Sequence, residues 1–244
     1  RLAFLNKMDR MGANPFKGRD ALIEKLGHNA VLMQIPIGAE DEFRGVVDLV
    51  TKKAFYFDGD NGENVRVEEC PAELVDQMEE YRAEMIDKVA EYDDEIMEKY
   101  LEGEEPTEEE LHKCIKVGVN TLALTPVYMG SAFKNKGVQT LIESVARYLP
   151  SPLECAKPTA VTEENEKVEL EPVKDKDLVC MAFKITDEQF GQLTYTRIYQ
   201  GTLNKGETVY NTRTKKKTRI GRMVRMNSND RENIDSAHAG DIIA

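Results

Sequence analysis

Cysteine and histidine are scarce in this 244-residue chain, and neither is clustered. Cys70, Cys114, Cys155 and Cys180 lie 44, 41 and 25 residues apart with no CxxC, and His28, His112 and His238 are equally dispersed. That spacing argues against a zinc site or a disulfide framework and fits a reducing intracellular compartment. Long hydrophobic runs are also lacking: no stretch approaches about 18 apolar residues, which excludes a transmembrane helix. The opening Arg1-Leu2-Ala3-Phe4-Leu5 does not develop into the basic, apolar and small-residue succession of a secretion signal. Basic residues are outnumbered, 33 Lys and Arg against 45 Asp and Glu, for a net charge of −12. With 41% hydrophobic residues the chain can bury a core, and its length sets a prior of one or two domains.

The charge is not spread evenly. Residues 63–110 hold 20 acids and 4 bases, a net of −16, which leaves +4 for the rest. Residues 213–225 hold seven bases and no acid. The average acidity would argue against a nucleic-acid partner, but the local blocks overrule the average. An acidic module suited to a basic protein and a basic module suited to an anionic polymer are expected, with two solvated faces as the plainer alternative.

Leu2-Ala3-Phe4-Leu5 reads as a short buried strand, followed by Asn6-Lys7-Met8-Asp9. Asn14 and Pro15 are placed as N-cap and first helical residue of a helix over 16–26 that Gly27 stops. Over 30–69, four strands are expected at 31–35, 45–50, 54–57 and 65–67, the last two joined by the turn Asp58-Gly59-Asp60-Asn61-Gly62. That turn imitates a calcium loop, but Gly62 and Glu63 occupy positions that need a ligand and a glycine. From Pro71 on, Leu74, Met78, Tyr81, Met85, Val89, Tyr92, Ile96 and Tyr100 form one apolar stripe at helical spacing, with Asp93-Asp94 able to cap a second helix. Thr107 and Glu110 make a capping box for a further helix through Leu111, Ile115 and Leu122. A second short strand runs over 125–130, and a helix marked by Val138, Leu141, Ile142, Val145 and Leu149 ends at Pro150 and Pro152. Residues 156–177 read as a polar linker or exposed loop, and short strands from Leu178 onward (179–185, 193–199, 208–210, 218–224) suggest a small all-β barrel or sandwich.

Asn6-Lys7-x-Asp9 directly after a buried strand carries the chemistry. Ligands of open α/β sheets bind at the carboxyl ends of strands. Guanine presents an N1–H beside an N2 amino group, and the two oxygens of Asp9 accept both. Each charge-assisted bond contributes roughly 1.5–3 kcal/mol. Adenine would leave the carboxylate desolvated and unpaired, so discrimination on the order of 10⁴-fold is within reach. Asn6 can bond the other purine edge or tie the loops together, and Lys7 can lay its stem on the base. Ser131-Ala132, at the end of the second strand, would complete the pocket with a backbone N–H toward the purine O6. In the plainer alternative, Asn6 and Asp9 merely cap the helix that begins near Asn14.

The runs Asn-Lys-Met-Asp-Arg-Met-Gly-Ala-Asn (6–14) and Gly-Ser-Ala-Phe-Lys-Asn-Lys-Gly-Val-Gln (130–139) resemble the fourth and fifth guanine-nucleotide motifs of translation elongation factor G. Residues 33–38, 56–60, 71–74, 197–203 and 239–244 are similar to the same family, with a flavour closest to its mitochondrial-type branch. The resemblance implies a multi-domain protein: an α/β partial P-loop GTPase domain with an α+β insertion, then an all-β barrel. The implied segments are 1–29 and 123–155 for the GTPase domain, 30–122 for the insert, 156–177 for a linker and 178–244 for a truncated barrel. It implies GTP or GDP at Asn6, Lys7, Asp9, Ser131, Ala132 and Phe133, with Mg²⁺ in the full-length parent only. It further implies a ribosome-dependent GTPase that promotes tRNA–mRNA translocation, with a recycling paralogue or a non-catalytic ribosome- or RNA-binding module as alternatives. Ribosomal RNA would meet the barrel through Lys215, Lys216, Lys217 and Arg219, and the stalk protein would meet the acidic insert. The tRNA–mRNA complex would be engaged by domains outside this sequence. A monomer in a bacterial cytoplasm is expected, or in the mitochondrial matrix, with no membrane partner. No GxxxxGK[ST] occurs, so the sequence holds no phosphate-cradling loop, no catalytic residue and no metal ligand set, and the chain reads as an internal piece that does not hydrolyse GTP alone.

Overall fold

The computed structural model describes residues 1–162, 164–188 and 191–244. Residue 163, within the expected linker, and residues 189–190, within the expected barrel, lie outside the described residues. The chain divides into two compact units, Arg1–Leu149 and Pro150–Ala244.

The first unit runs β1 (Ala3–Leu5), α1 (Pro15–Leu26), β2 (Ala30–Leu32), β3 (Gln34–Ile37), β4 (Gly45–Asp48), β5 (Lys53–Asp58), β6 (Asn64–Glu69), α2 (Val75–Ala90), α3 (Asp94–Leu101), α4 (Glu108–Asn120), β7 (Thr125–Met129) and α5 (Val138–Tyr148). Strands β1, β7 and β2 form a parallel sheet in that order. Central β7 is buried at every residue, as a strand covered on both faces must be. Strands β3 to β6 form an antiparallel sheet in sequence order. Local signals set most helix ends. The Asn14 side chain accepts the Lys17 N–H and Gly27 closes α1 in the left-handed region. The Asp93 carboxylate accepts the Ile96 N–H, so the long stripe is two helices, and both halves of the Thr107–Glu110 capping box form. The stripe faces the core: Met78, Met85, Val89 and Ile96 are buried.

Several expectations need correction. The strand expected over 31–35 is two strands, and it changes sheets at Met33. The Met33 N–H donates to Val127 O in β7, while the Met33 carbonyl accepts the Leu49 N–H beyond β4. Residues 30–35 are all buried, so no alternation betrays the switch. On α5, Ile142 and Val145 are exposed, whereas Thr140 and Tyr148 are buried. The expected linker contains an antiparallel hairpin in the second unit, β8 (Thr159–Val161) with β9 (Lys167–Glu169), followed by buried Leu170. Its exposed polar residues satisfy their backbone by pairing, which composition does not reveal.

The rest of the second unit is β10 (Val179–Glu188), β11 (Gly191–Gln200), β12 (Thr202–Asn204), β13 (Thr208–Asn211), β14 (Lys216–Arg219), β15 (Met223–Asn227), β16 (Asp230–Ile234), β17 (Ser236–His238) and β18 (Ile242–Ile243). The ladders are antiparallel, β10–β11–β18, β12–β17, β13–β14 and β15–β16, around Ile198, Leu203, Met223, Ala237 and Ile243. The strand expected over 218–224 breaks at Ile220, whose N–H turns to Glu207 O. The whole is an α/β domain with an α+β insertion, followed by an all-β domain.

A half-buried polar contact joins α4 to α5. His112 Nδ1 lies 2.6 Å from the Tyr148 hydroxyl. Burial, with Arg147 nearby, pushes the imidazole from its ordinary 6.5 down to about 4. The folded state therefore holds His112 neutral while the unfolded state takes up a proton. This contribution is complete above pH 6.5, falls as pH drops toward 4, and is flat below it. His112→Gln is expected to remove about 2 kcal/mol of the stability lost between pH 7 and pH 4.5. Urea unfolding of both proteins at the two pH values reads this out, and parallel losses would refute it.

Candidate purine-binding site

β1 and β7 are adjacent and parallel, with Leu5 opposite Met129, so their carboxyl ends open side by side. The loops that follow are bonded together from the first residue. The Gly130 N–H donates to Leu5 O, and the Met8 N–H donates back to Gly130 O, each at 3.0 Å. Met8 is buried beneath the turn and fixes it. Asn6 Oδ1 accepts the Lys7 N–H at 2.8 Å and, 126 residues away, the Ala132 N–H at 2.9 Å. Lys7 sits in the left-handed backbone region, φ 63°, and its side chain is exposed.

Asp9 lies under this bridge. Its side chain is 9% exposed, and Lys134 Nζ is 3.5 Å from Oδ2. The Ser131 hydroxyl hydrogen-bonds the carboxylate and, with the Lys134 ammonium, holds its pKa below the usual carboxylate value despite burial. An ionised acceptor with little solvent is thus held in place. The opposite loop is tied at its neck, where Ser131 and Lys136 exchange both backbone hydrogen bonds. Phe133, on that loop, is 94% exposed. A cavity of about 350 Å³ is lined by Asn6, Lys7, Arg10 and Met11 among others, but not by Asp9, Ser131 or Ala132.

The structure brings Asn6, Asp9, Ser131 and Ala132 together and leaves Lys7 and Phe133 as exposed flanks. Two expectations change. Asn6 and Asp9 do not cap α1, a role that belongs to Asn14. The Ala132 N–H, expected to face a purine oxygen, is engaged by Asn6, the nearest acceptor. Sequence reasoning missed Lys134 and, at 4.0 Å, Arg10 as ion-pair partners of Asp9, although both stand within the two motifs. Chemically, the arrangement is a half-buried ionised acceptor beside a fixed carboxamide, which suits a flat base with two adjacent donors.

The sequence profile described as "Elongation factor Tu GTP binding domain" matches residues 1–151, well over half the chain. The chain belongs to this family. A second profile, "Elongation factor Tu domain 2", matches residues 191–244. Among curated proteins, the chain is 53% identical over 245 residues to "Elongation factor G 2" of Bdellovibrio bacteriovorus, covering 100% of this chain and 35% of that protein. It is equally 53% identical over 245 residues to "Elongation factor G" of Rhodopirellula baltica, with the same coverage. "Elongation factor G 2" of Vibrio vulnificus is 51% identical over 249 residues, covering 100% of this chain and 36% of that protein. A solved crystal structure from Thermus thermophilus superposes with TM-score 0.76 at 25% identity, covering 100% of this chain and 33% of that one. The chain therefore spans about a third of the length of the relatives it matches. The curated relatives are bacterial elongation factor G proteins.

The expected RNA-contact residues belong to the second unit. Lys216, Lys217 and Arg219 are on β14, which is exposed throughout, and Lys215 is at the turn before it. Arg219 Nε donates to Gly206 O at 3.3 Å. Of the other bases in the run, Arg222 is bonded to Asn233 and Arg225 pairs with Glu232. The strand thus presents lysines outward, while flanking arginines turn to neighbours.

Proposed function

We propose that this chain is the guanine-recognising part of a ribosome-dependent translational GTPase of the elongation factor G kind, acting in tRNA–mRNA translocation. The observation that carries the reading is the meeting of an ionised, nearly buried Asp9 with Asn6 and Ser131 across 125 residues of sequence. Asp9 would accept the N1–H and N2 amino group, and Asn6 would offer its free amide hydrogens to the imidazole edge. Lys7 and Phe133 would flank the ring faces. We assign 1–29 and 123–155 to the GTPase domain, 30–122 to the insert except for the β2 strand, and 178–244 to the β domain. The mitochondrial-type branch rests on the sequence motifs alone, and a cytoplasmic site follows from the bacterial relatives. The residues present fit a purine base. Phosphate and Mg²⁺ contacts, which supply the chemistry of hydrolysis, have no ligand set in this sequence.

The reading is tested by competition among GDP, IDP and ADP on the full-length protein. Inosine lacks the amino group, so IDP should bind about 10–100-fold more weakly than GDP, and ADP weaker still. Equal affinity for GDP and IDP would show that Asp9 does not read the amino group.

The lysines of β14 suit a phosphate backbone. We propose that Lys215, Lys216, Lys217 and Arg219 touch ribosomal RNA, and that the acidic 63–110 region meets a basic ribosomal stalk partner. Reversing Lys216 and Lys217 to Glu should weaken ribosome binding and lower its salt slope by about 2. An unchanged slope would remove these residues from the contact.

A further inference from the structure

Both base-reading loops are held from outside the pocket by the antiparallel sheet, at separate points. Glu40 opens the single 3-10 turn Glu40–Glu42 between β3 and β4. Its backbone lies in the left-handed region, φ 53°, where a side chain other than glycine is uncommon. From there Oε1 accepts the Gly12 N–H at 2.6 Å, across 28 residues and three residues beyond Asp9. At the same end of the sheet, two strands away, the β5–β6 tip lies backbone to backbone on the Ser131–Lys136 loop. A Cβ built on Gly62 would come within 2.6 Å of Lys134 O and 2.8 Å of Asn135 O. Gln139, in the first turn of α5, fastens this contact: its Nε2 donates to Gly62 O at 2.8 Å and to Asn135 O at 3.0 Å. The loop so fastened carries Ser131 and Lys134, the two groups that hold Asp9 ionised.

We propose that the antiparallel sheet sets the guanine affinity of the site, with Glu40, Gly62 and Gln139 as positioning residues that brace the two loops against each other. None of the three is among the groups assigned to the purine. Their effect is exerted through the placement of Asp9, Ser131 and Ala132. A reader of two adjacent donors is sensitive to such placement, since displacements near 1 Å cost on the order of 100-fold in comparable sites. Glycine is needed at 62 twice over, for the close approach and for its φ of 62°. The inference rests on the guanine reading above.

The test has two arms. In the full-length protein, Glu40→Ala and Gln139→Ala should each weaken GDP binding about tenfold, with melting temperatures within about 2 °C of the wild type. Glu40→Gln keeps the acceptor oxygen and should restore affinity, a rescue that a purely structural role in the turn would not give. Asp9→Ala is the control for base reading. If Asp9→Ala abolishes GDP affinity while both brace variants stay within about twofold of wild type, the brace is refuted and the guanine reading stands. In the second arm, hydrogen exchange on the unliganded 244-residue chain follows the Ala132 amide, which is bonded to Asn6 and not to the brace. Its exchange should quicken in both alanine variants. Unchanged exchange refutes the brace even if Asp9→Ala leaves GDP binding intact and the guanine reading itself has failed.

Discussion

Replacing Asp9 by Asn is expected to turn a guanine reader into a xanthine reader. The carboxylate is 9% exposed and held ionised by the Ser131 hydroxyl and the Lys134 ammonium, so it can only accept. Guanine supplies the two donors this acceptor needs. Xanthine carries a carbonyl where guanine has its amino group, and two acceptors would then face each other at close range. The Asn amide reverses one of these groups. Its Oδ1 still accepts from N1–H, and its Nδ2 donates to the xanthine carbonyl while opposing the guanine amino group. One bond lost on guanine and one gained on xanthine, each worth roughly 1.5–3 kcal/mol, moves the preference by about 10²–10⁴-fold. The carbonyl oxygen of Asn can still accept from Ser131, so the loop neck should persist, and Lys134 is exposed enough to be solvated on its own. Competition binding of GDP and XDP to full-length wild-type and Asp9→Asn protein reads the swap. Unchanged selectivity would make Asp9 a structural residue.

Arg82→Met is expected to cost about 3–4 kcal/mol of unfolding free energy in the first unit. Arg82 is 4% exposed on α2, inside a region otherwise crowded with acids. Its Nη1 donates to Leu49 O and, at 2.8 Å, to Val50 O, while Nε reaches Glu105 Oε1 at 2.8 Å. The ion pair is the lesser part. Glu105 is 53% exposed, and Lys52 Nζ is also 2.8 Å from it, so it keeps a partner when Arg82 is lost. The carbonyls decide the outcome. Leu49 and Val50 are buried at the β4–β5 turn, and each loses its donor at about 1–3 kcal/mol. Methionine keeps the apolar stem, so packing changes little. Urea denaturation followed by a probe in the first unit measures the loss, with Glu105→Gln as a control expected to cost under about 1 kcal/mol. A loss below about 1 kcal/mol for Arg82→Met would mean that water reaches both carbonyls.

What the sequence announced was mostly local. Asn14-Pro15, Asp93 and Thr107-Glu110 each satisfy a backbone donor within three residues, so their patterns survive in one dimension. The meeting of Asn6 and Asp9 with Ser131 and Ala132 was legible for a different reason: each motif follows a short apolar strand, half-buried for β1 and buried for β7, and parallel neighbours present their carboxyl ends together. The rest depends on distant partners. Nothing local marks Arg82 as buried, because its acceptors are 32 and 33 residues away. The Glu40–Gly12 bond spans 28 residues and has no periodic signature. The β8–β9 hairpin leaves even Val161 and Val168 exposed, and hydrophobic patterning is silent about strands that bury nothing. On α5 an apolar stripe marked the helix correctly but not its buried side: Ile142 is exposed while Tyr148 reaches His112.

Met33 has a bearing on how such a chain could be rebuilt. Its amide serves one sheet and its carbonyl the other, so the two layers share a single residue as a hinge pin. A graft that exchanges the antiparallel layer between related proteins would have to keep that residue in register. Slipping the junction by one position would turn the inward side chains of the following strand outward and strip both layers of the same fastening.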